Sequence, residues 1–240
     1  MENSLAVTVF FQRYEQKYLL DTSQYHEFLK LLDGFTSVDE YGPSTIYSIY
    51  YDNDEFGIAR NALKKSAYKE KLRLRSYGIP QSGEDTVYLE LKKKLKGITY
   101  KQRVPMLFTG MKKHFDFRPD NCPENYIFSE LDWFLNYYKP FPRFMICYDR
   151  LAFRGREDKS LRITFDTNIR WRASDLDFSR GSYGFPLLGE NEYLMEIKVK
   201  NSIPLYLTAH LGRLKIYPFS FSKFRAAYES LMNERTVRYA

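Results

Sequence analysis

The sequence predicts an α+β fold whose antiparallel sheet closes into a barrel or channel, and three observations lead there. First, charged and apolar residues alternate in segment after segment: Arg13-Glu15-Lys17, Lys69-Lys71-Arg73-Arg75, Glu90-Lys92-Lys94, Lys101-Arg103 and Glu196-Lys198-Lys200. Side chains alternate faces along a strand, so each charged set shares one face, opposite Leu72, Leu74, Leu89, Leu91, Met195, Ile197 and Val199. Second, helical patterns with cap residues interrupt these strands. Third, about ten converging bases meet only Glu15, Glu90, Asp166 and Glu196 on the same faces, too few acids to neutralise them in low dielectric. The surplus calls for a bound anion, and strands that each bring charge from one face suit a closed channel better than a flat sheet.

The elements follow in order. A strand spans roughly 7–20, and Asp21-Thr22-Ser23 caps a helix carrying Tyr25, Phe28, Leu29 and Leu32 that ends at Gly34. Residues 44–52 form a strand rich in Tyr and Ile, and Asp52-Asn53-Asp54 caps a short helix through Leu63. Strands at 68–77, 86–94 and 98–104, separated by Gly78, Pro80 to Gly83 and Gly97, make an antiparallel meander. Helices are expected at 107–115 and 124–138, the second with Ile127, Leu131, Phe134 and Leu135 at helical spacing and stopped by Pro140 and Pro142. A long strand at 144–153 pairs with 160–170, residues 173–190 are turn-rich, and a strand at 193–200 precedes helices that start at Pro204 and Ser220.

The 240 residues are expected to form one domain over 1–240, with no repeat, linker or low-complexity tract. An aromatic share of 18%, mostly Tyr and Phe, favours sheet. No apolar run reaches membrane-spanning length and no leader pattern opens the chain, so a cytoplasmic location is expected. Cys122 and Cys147 fit no zinc spacing and are read as free thiols. The net charge of +7 implies an anionic partner, and its recurrence at strand period places the bases on a structured surface rather than in a disordered tail.

Particular residues carry the chemistry. Glu196-Ile197-Lys198 sets a carboxylate and an ammonium side by side, as a site for a divalent cation and a phosphate requires, although a cross-strand salt bridge gives the same spacing. The spacing recurs in Glu15-Gln16-Lys17 and Glu90-Leu91-Lys92. Arg73, Arg75, Arg150 and Arg162 offer planar forks suited to bidentate phosphate contact, with solvated surface arginines as the alternative. Ser222-Lys223 opens a helix, where unpaired amides favour an anion, and a plain N-cap serine is the alternative. The sequence has no Walker loop, no GxSxG elbow and no metal-spaced pair among His26, His114 and His210. Phosphoryl transfer needs none of these, because it depends mostly on positioning and charge stabilisation.

The order of motifs resembles the VTC domain, the polyphosphate polymerase domain of the vacuolar transporter chaperone complex, within the triphosphate tunnel metalloenzyme superfamily. The resemblance covers almost the whole chain. It rests on Arg13-Tyr14-Glu15-Gln16-Lys17-Tyr18, Lys71 to Gly78, Leu89-Glu90-Leu91-Lys92, Lys101-Gln102-Arg103, Tyr148 to Phe153, Leu161 to Asp166, Met195-Glu196-Ile197-Lys198 and Phe221-Ser222-Lys223-Phe224. It implies an antiparallel tunnel of about eight strands, flanked by helices, in which bases and Mn²⁺ or Mg²⁺ grip a triphosphate. Carried over by position, Lys17, Arg73, Arg75, Lys92, Lys101, Arg150, Arg162, Lys198 and Lys223 would contact phosphates, Ser222 would assist, and Glu196 would hold the metal. Face and spacing add Arg103 and Arg154 to the phosphate contacts and Glu15 to the metal site.

The hydrolase branch of that superfamily opens with Glu-x-Glu-x-Lys. Here Arg13 takes the first acidic position and joins the phosphate-binding candidates, so fewer acids remain for metal, which favours the polymerase branch. The expected activity is an ATP-dependent polyphosphate polymerase, with ATP and inorganic polyphosphate or triphosphate as partners rather than nucleic acid. A triphosphatase of the same fold and a non-catalytic polyphosphate-binding module are the competing readings.

Overall fold

The computed structural model describes residues 14–64, 66–96, 98–109 and 126–239. The expected strand at 7–13, Arg13, Cys122, His114 and most of the helix expected at 107–115 lie outside them.

The chain runs β1 (Tyr14–Leu20), α1 (Thr22–Leu32), β2 (Thr36–Val38), β3 (Ser44–Asp52), α2 (Gly57–Leu63), β4 (Tyr68–Tyr77), β5 (Thr86–Leu95) and β6 (Ile98–Leu107). It continues with α3 (Tyr126–Tyr138), β7 (Phe141–Gly155), β8 (Arg162–Arg172), a short 3₁₀ turn at Phe178–Arg180, β9 (Phe185–Pro186), β10 (Tyr193–Val199), α4 (Leu205–Arg213) and α5 (Lys223–Tyr239). Local chemistry sets the helix starts. Asp21 accepts from the Gln24 amide while the Gln24 side chain accepts from the Asp21 amide, a capping box. Buried Asp52 accepts from the amides of Asn53, Ile58 and Ala59 and so anchors the first turn of α2 to the end of β3.

The sheet is antiparallel, in the order β1-β10-β8-β7-β3-β4-β5-β6, with β2 paired to β7 and β9 to β8. The eight-strand path agrees with expectation, but among the described residues no ladder closes a barrel. The outer edge of β1 is occupied instead: the Phe219 amide donates to the Lys17 carbonyl at 2.8 Å and Tyr18 bridges Pro218. At the other end β6 carries Pro105, which an edge strand tolerates because one of its sides makes no ladder. The sheet nevertheless rolls until its ends face one another, for Glu15 of β1 and Lys92 of β5 line one chamber.

Three apolar clusters fix the roll. On the convex side of β3 to β7, Leu72, Leu74, Leu89 and Leu91 pack under Leu131 and Phe134 of α3. On the convex side of β1, β8 and β10, Ile163, Phe165, Met195 and Ile197 pack under α1 and α4. The third cluster is concave: Tyr50, Phe144, Ile146 and Tyr148 meet Phe224, Ala227 and Tyr228, so α5 fills one end of the roll. Among the described residues no helix is long and apolar enough to cross a membrane.

Several expectations are corrected in detail. Leu107 ends β6 rather than starting a helix, because pairing with Thr86 extends the β5–β6 hairpin to that residue. Pro142 lies inside β7, which begins at Phe141 opposite Asp52. Strand β2 was not foreseen. Its three residues carry no alternating pattern and owe their extension to pairing with Phe153 to Gly155.

Candidate active site

The concave face presents the bases in rungs. Register places Arg73 beside Glu90 and Glu90 beside Arg103, and the next rung holds Lys71, Lys92 and Lys101. On the other limb Lys17 stands opposite Glu196, and Lys198 stands between Glu15 and Arg162. Alternation is the cause: Leu72 and Leu74, Leu89 and Leu91, and Ile197 and Val199 are buried in the convex clusters, so the intervening residues point inward.

The chamber, which is open to solvent, has a volume of about 170 Å³. Among the described residues its wall carries eight cations, Lys17, Lys71, Arg73, Arg75, Lys92, Arg150, Lys198 and Lys223, against two carboxylates, Glu15 and Glu196. Tyr50, Tyr148, Ser222 and Phe224 complete it. Lys92 is surrounded by protein yet keeps more than a third of its surface open, so the lumen admits water.

Two buried acids beneath the wall hold these bases in place. Glu90, 1% exposed, lies 2.6 Å from Arg73, Lys101 and Arg103 and 3.9 Å from Arg75. Burial opposes its charge, but Arg73, Arg75, Lys101 and Arg103 outweigh burial and hold the carboxyl far below the usual range. Asp166 accepts a bidentate pair from Arg150 at 2.6 and 2.8 Å and lies 2.5 Å from Lys223. Burial again opposes the charge, while Arg150 and Lys223 bring the pKa to about 2. The Arg73 fork also donates to the Tyr50 hydroxyl at 3.0 Å, and Arg75 donates to Ser48 and Tyr148. Ser222 caps α5, accepting from the Arg225 amide at 3.3 Å, and it also lines the chamber, so the cap and wall readings hold together.

Two lysines respond differently, Lys71 without a close acid and Lys101 on Glu90. Lys71 makes no hydrogen bond or ion pair among the described residues and rests 4.3 Å above the Phe224 ring. Burial, then repulsion from Lys92, Lys17 and Arg73, brings its pKa down to about 7. Burial and the three neighbouring arginines bring Lys101 to about 7 as well, although Glu90 partly offsets them.

Glu15 and Glu196 share two lysines: Lys17 lies 3.8 and 3.6 Å from them, and Lys198 lies 3.8 and 2.6 Å. Burial and the second carboxylate raise Glu15, whereas Lys198, Lys17 and Lys223 outweigh burial and hold Glu196 low. Two carboxylates that share their lysines in one chamber fit a hard divalent cation that takes its remaining oxygens from water and a phosphate. Among the described residues no third His, Cys, Asp or Glu joins them.

The chamber thus gathers Lys17, Arg73, Arg75, Lys92, Arg150, Lys198, Lys223, Ser222, Glu15 and Glu196. Lys101 and Arg103 sit one strand further along, on Glu90. Arg162 and Arg154 do not line it. They turn to Asp39, at 2.9 and 3.4 Å, beside one mouth of the roll. Sequence reasoning put Lys71 on the basic face without naming it as a site residue, and it missed Tyr50, Tyr148 and Asp39. Tyr50 has the inward parity of Ser48 and could have been found by it, whereas Asp39 lies just past β2 and had no pattern to reveal it.

Several solved structures are similar to this chain. A candidate adenylate cyclase from Bacillus halodurans is 13% identical, with a TM-score of 0.52 over 88% of this chain and 96% of that one, a likeness of fold. A candidate adenylate cyclase from Vibrio parahaemolyticus is 12% identical, with a TM-score of 0.43 over 88% and 94%. The PH1819 protein from Pyrococcus horikoshii is 14% identical, with a TM-score of 0.43 over 92% and 99%. No curated protein matches the sequence. The model of the VTC domain matches residues 12–232, nearly the whole chain, and the chain therefore belongs to the VTC domain family.

Proposed function

We propose that this chain is a polyphosphate polymerase that moves the γ-phosphoryl group of ATP onto the end of a growing phosphate chain. The observation that carries the reading is the chamber wall itself, eight cations against two carboxylates. Two polyanions must meet for this reaction, and adjacent phosphate charges about 4 Å apart repel by roughly 4 kcal/mol per pair at an effective dielectric near 20. Fixed cations offset that repulsion without reorganising.

In this reading Arg73, Arg75 and Arg150, fixed by Glu90, Tyr148 and Asp166, bind the triphosphate with their free N–H groups. Lys17, Lys198 and Lys223 stabilise charge on the transferred group and the leaving ADP. The chain's terminal phosphate oxygen forms the new P–O bond as the β,γ-bridging P–O bond breaks, so no side-chain nucleophile and no proton abstraction are required. Glu15 and Glu196 would hold a divalent cation, Mn²⁺ or Mg²⁺, whose contribution when bound is charge neutralisation at the phosphate oxygens. The position of Arg13 in the sequence, where hydrolases of the superfamily carry an acid, favours transfer over hydrolysis. The fate of γ-labelled ATP tests the proposal: transfer puts label into phosphate chains separable by size, hydrolysis into free phosphate.

A further inference from the structure

Beyond the Lys71–Phe224 contact the basic ladder continues. Lys69 of β4 and Lys94 of β5 are partners in register, one rung past Lys71 and Lys92 and pointing the same way. Successive rungs on one face lie about 7 Å apart along the strands. The ladder from Arg75 to Lys69 therefore extends past the span of three linked phosphates. This last rung opens into a second cavity of about 580 Å³, lined also by Arg225 and by Ser66, Ser220 and Ser222. Lys71, Ser222 and Phe224 belong to the walls of both spaces, so they form the partition between them.

The two ends of the roll differ in charge. Toward the Tyr77 mouth the bases are already paired: Arg162 and Arg154 with Asp39, and Arg103 with Glu90. In the second cavity no lining residue is acidic among the described residues. Lys94 makes no ion pair there, Lys69 donates only to the Ala62 carbonyl at 2.8 Å, and Arg225 is held by Glu229 at the rim. Among the described residues, a polyanion leaving the chamber on this side meets cations, Lys69 and Lys94, that no acid neutralises.

We propose that this cavity is a second binding site for linear phosphate chains, taking the part of the chain that extends past the chamber, with Lys69, Lys94 and Arg225 as its ligands and the Lys71–Phe224 partition as the pass between the two. The proposal rests on the phosphate-chain reading of the chamber and adds a preference for length. Ser66, Ser220 and Ser222 supply neutral donors between the charges, which suits a ligand that slides rather than one locked in place.

The test is titration calorimetry of the whole chain with inorganic tripolyphosphate and, separately, with long-chain inorganic polyphosphate, without nucleotide. The variant K69Q/K94Q/R225Q is compared with the charge-matched surface variant K30Q/K159Q/K215Q, whose residues are exposed. The site predicts that the cavity variant loses at least about tenfold in long-chain affinity, the loss expected for three charge-assisted contacts, while tripolyphosphate affinity is unchanged. It also predicts a shallower dependence of long-chain affinity on salt, since fewer phosphates are neutralised. Equal losses for the cavity and surface variants, or equal losses for both phosphates, overturn it. Failure of the wild-type chain to bind either phosphate instead sinks the chamber reading on which it rests. Should the triple variant not fold by circular dichroism, K94Q alone at an exposed position must still weaken the long chain selectively.

Discussion

The Arg73 guanidinium lies on the Glu90 carboxylate at 2.6 Å through Nη2 and 2.7 Å through Nε, and the acid, 1% exposed, sits beneath a wall of bases. Glu90 is thus the anchor that keeps Arg73, Lys101 and Arg103 aimed from adjacent strands, and it leaves part of each base free for a ligand.

Replacing Glu90 with Gln removes that anchor and leaves four neighbouring cations uncompensated. The expected cost is roughly 3 kcal/mol of folding stability, the scale for removing one partner of a buried ion pair. Urea unfolding measures it. Added tripolyphosphate should restore part of the loss by binding the freed cations.

Acid should expose the same relationship. Glu90 and Asp166 have folded pKa values depressed below their unfolded values, so the unfolded chain binds more protons as pH falls. Their stabilisation is fully present above the unfolded values near pH 4 and is lost progressively as pH falls toward about 2. Thermal unfolding should therefore be insensitive to these groups at neutral pH and drop on the acid limb, and E90Q should flatten that limb.

Lys71 acts in the same sense over a higher pH window. Its folded pKa of about 7 lies below the unfolded value, so the native protein gives up this proton first and the term favours folding as pH rises above 7. Phosphate binding needs the charged form and should weaken over the same range. Replacement with Arg, which stays charged, should hold tripolyphosphate affinity at pH 9 at least about tenfold above wild type. Equal pH profiles for K71R and wild type would remove Lys71 from the ligand set.

At the carboxylate pair, Glu196→Gln should raise the Mn²⁺ concentration needed for half-maximal activity by at least about tenfold, since even supporting groups around a metal are worth that much. Direct Mn²⁺ binding in the presence of tripolyphosphate, followed by electron paramagnetic resonance, should weaken in parallel. An unchanged metal dependence would show that Glu196 serves only its ion pair with Lys198, 2.6 Å away.

Most of the architecture was legible because alternation is a local signal. Leu72 and Leu74 against Arg73 and Arg75 give the strand, its faces and its charge together, and β3 and β4 occupy the expected residues. The failures are non-local. That the sheet stays open depends on Pro218 and Phe219 reaching β1 from two hundred residues away, and no short-range pattern encodes that contact. Asp39 escaped for the same reason: its pairing with Arg162 and Arg154 exists only after β2 adds to β7. Lys71 was visible as an inward base, but its lack of an acid partner became visible only once the neighbouring strands were in place.

The most direct test of the account is product analysis after the purified chain is incubated with ATP and Mn²⁺. The account predicts ADP together with polyphosphate resolved as a ladder on a gel, and loss of both on replacing Arg73 with Ala by at least about a hundredfold in rate, the scale for removing one preorganised charge donor. Release of free phosphate without any chain, by a protein that binds ATP normally, would contradict it.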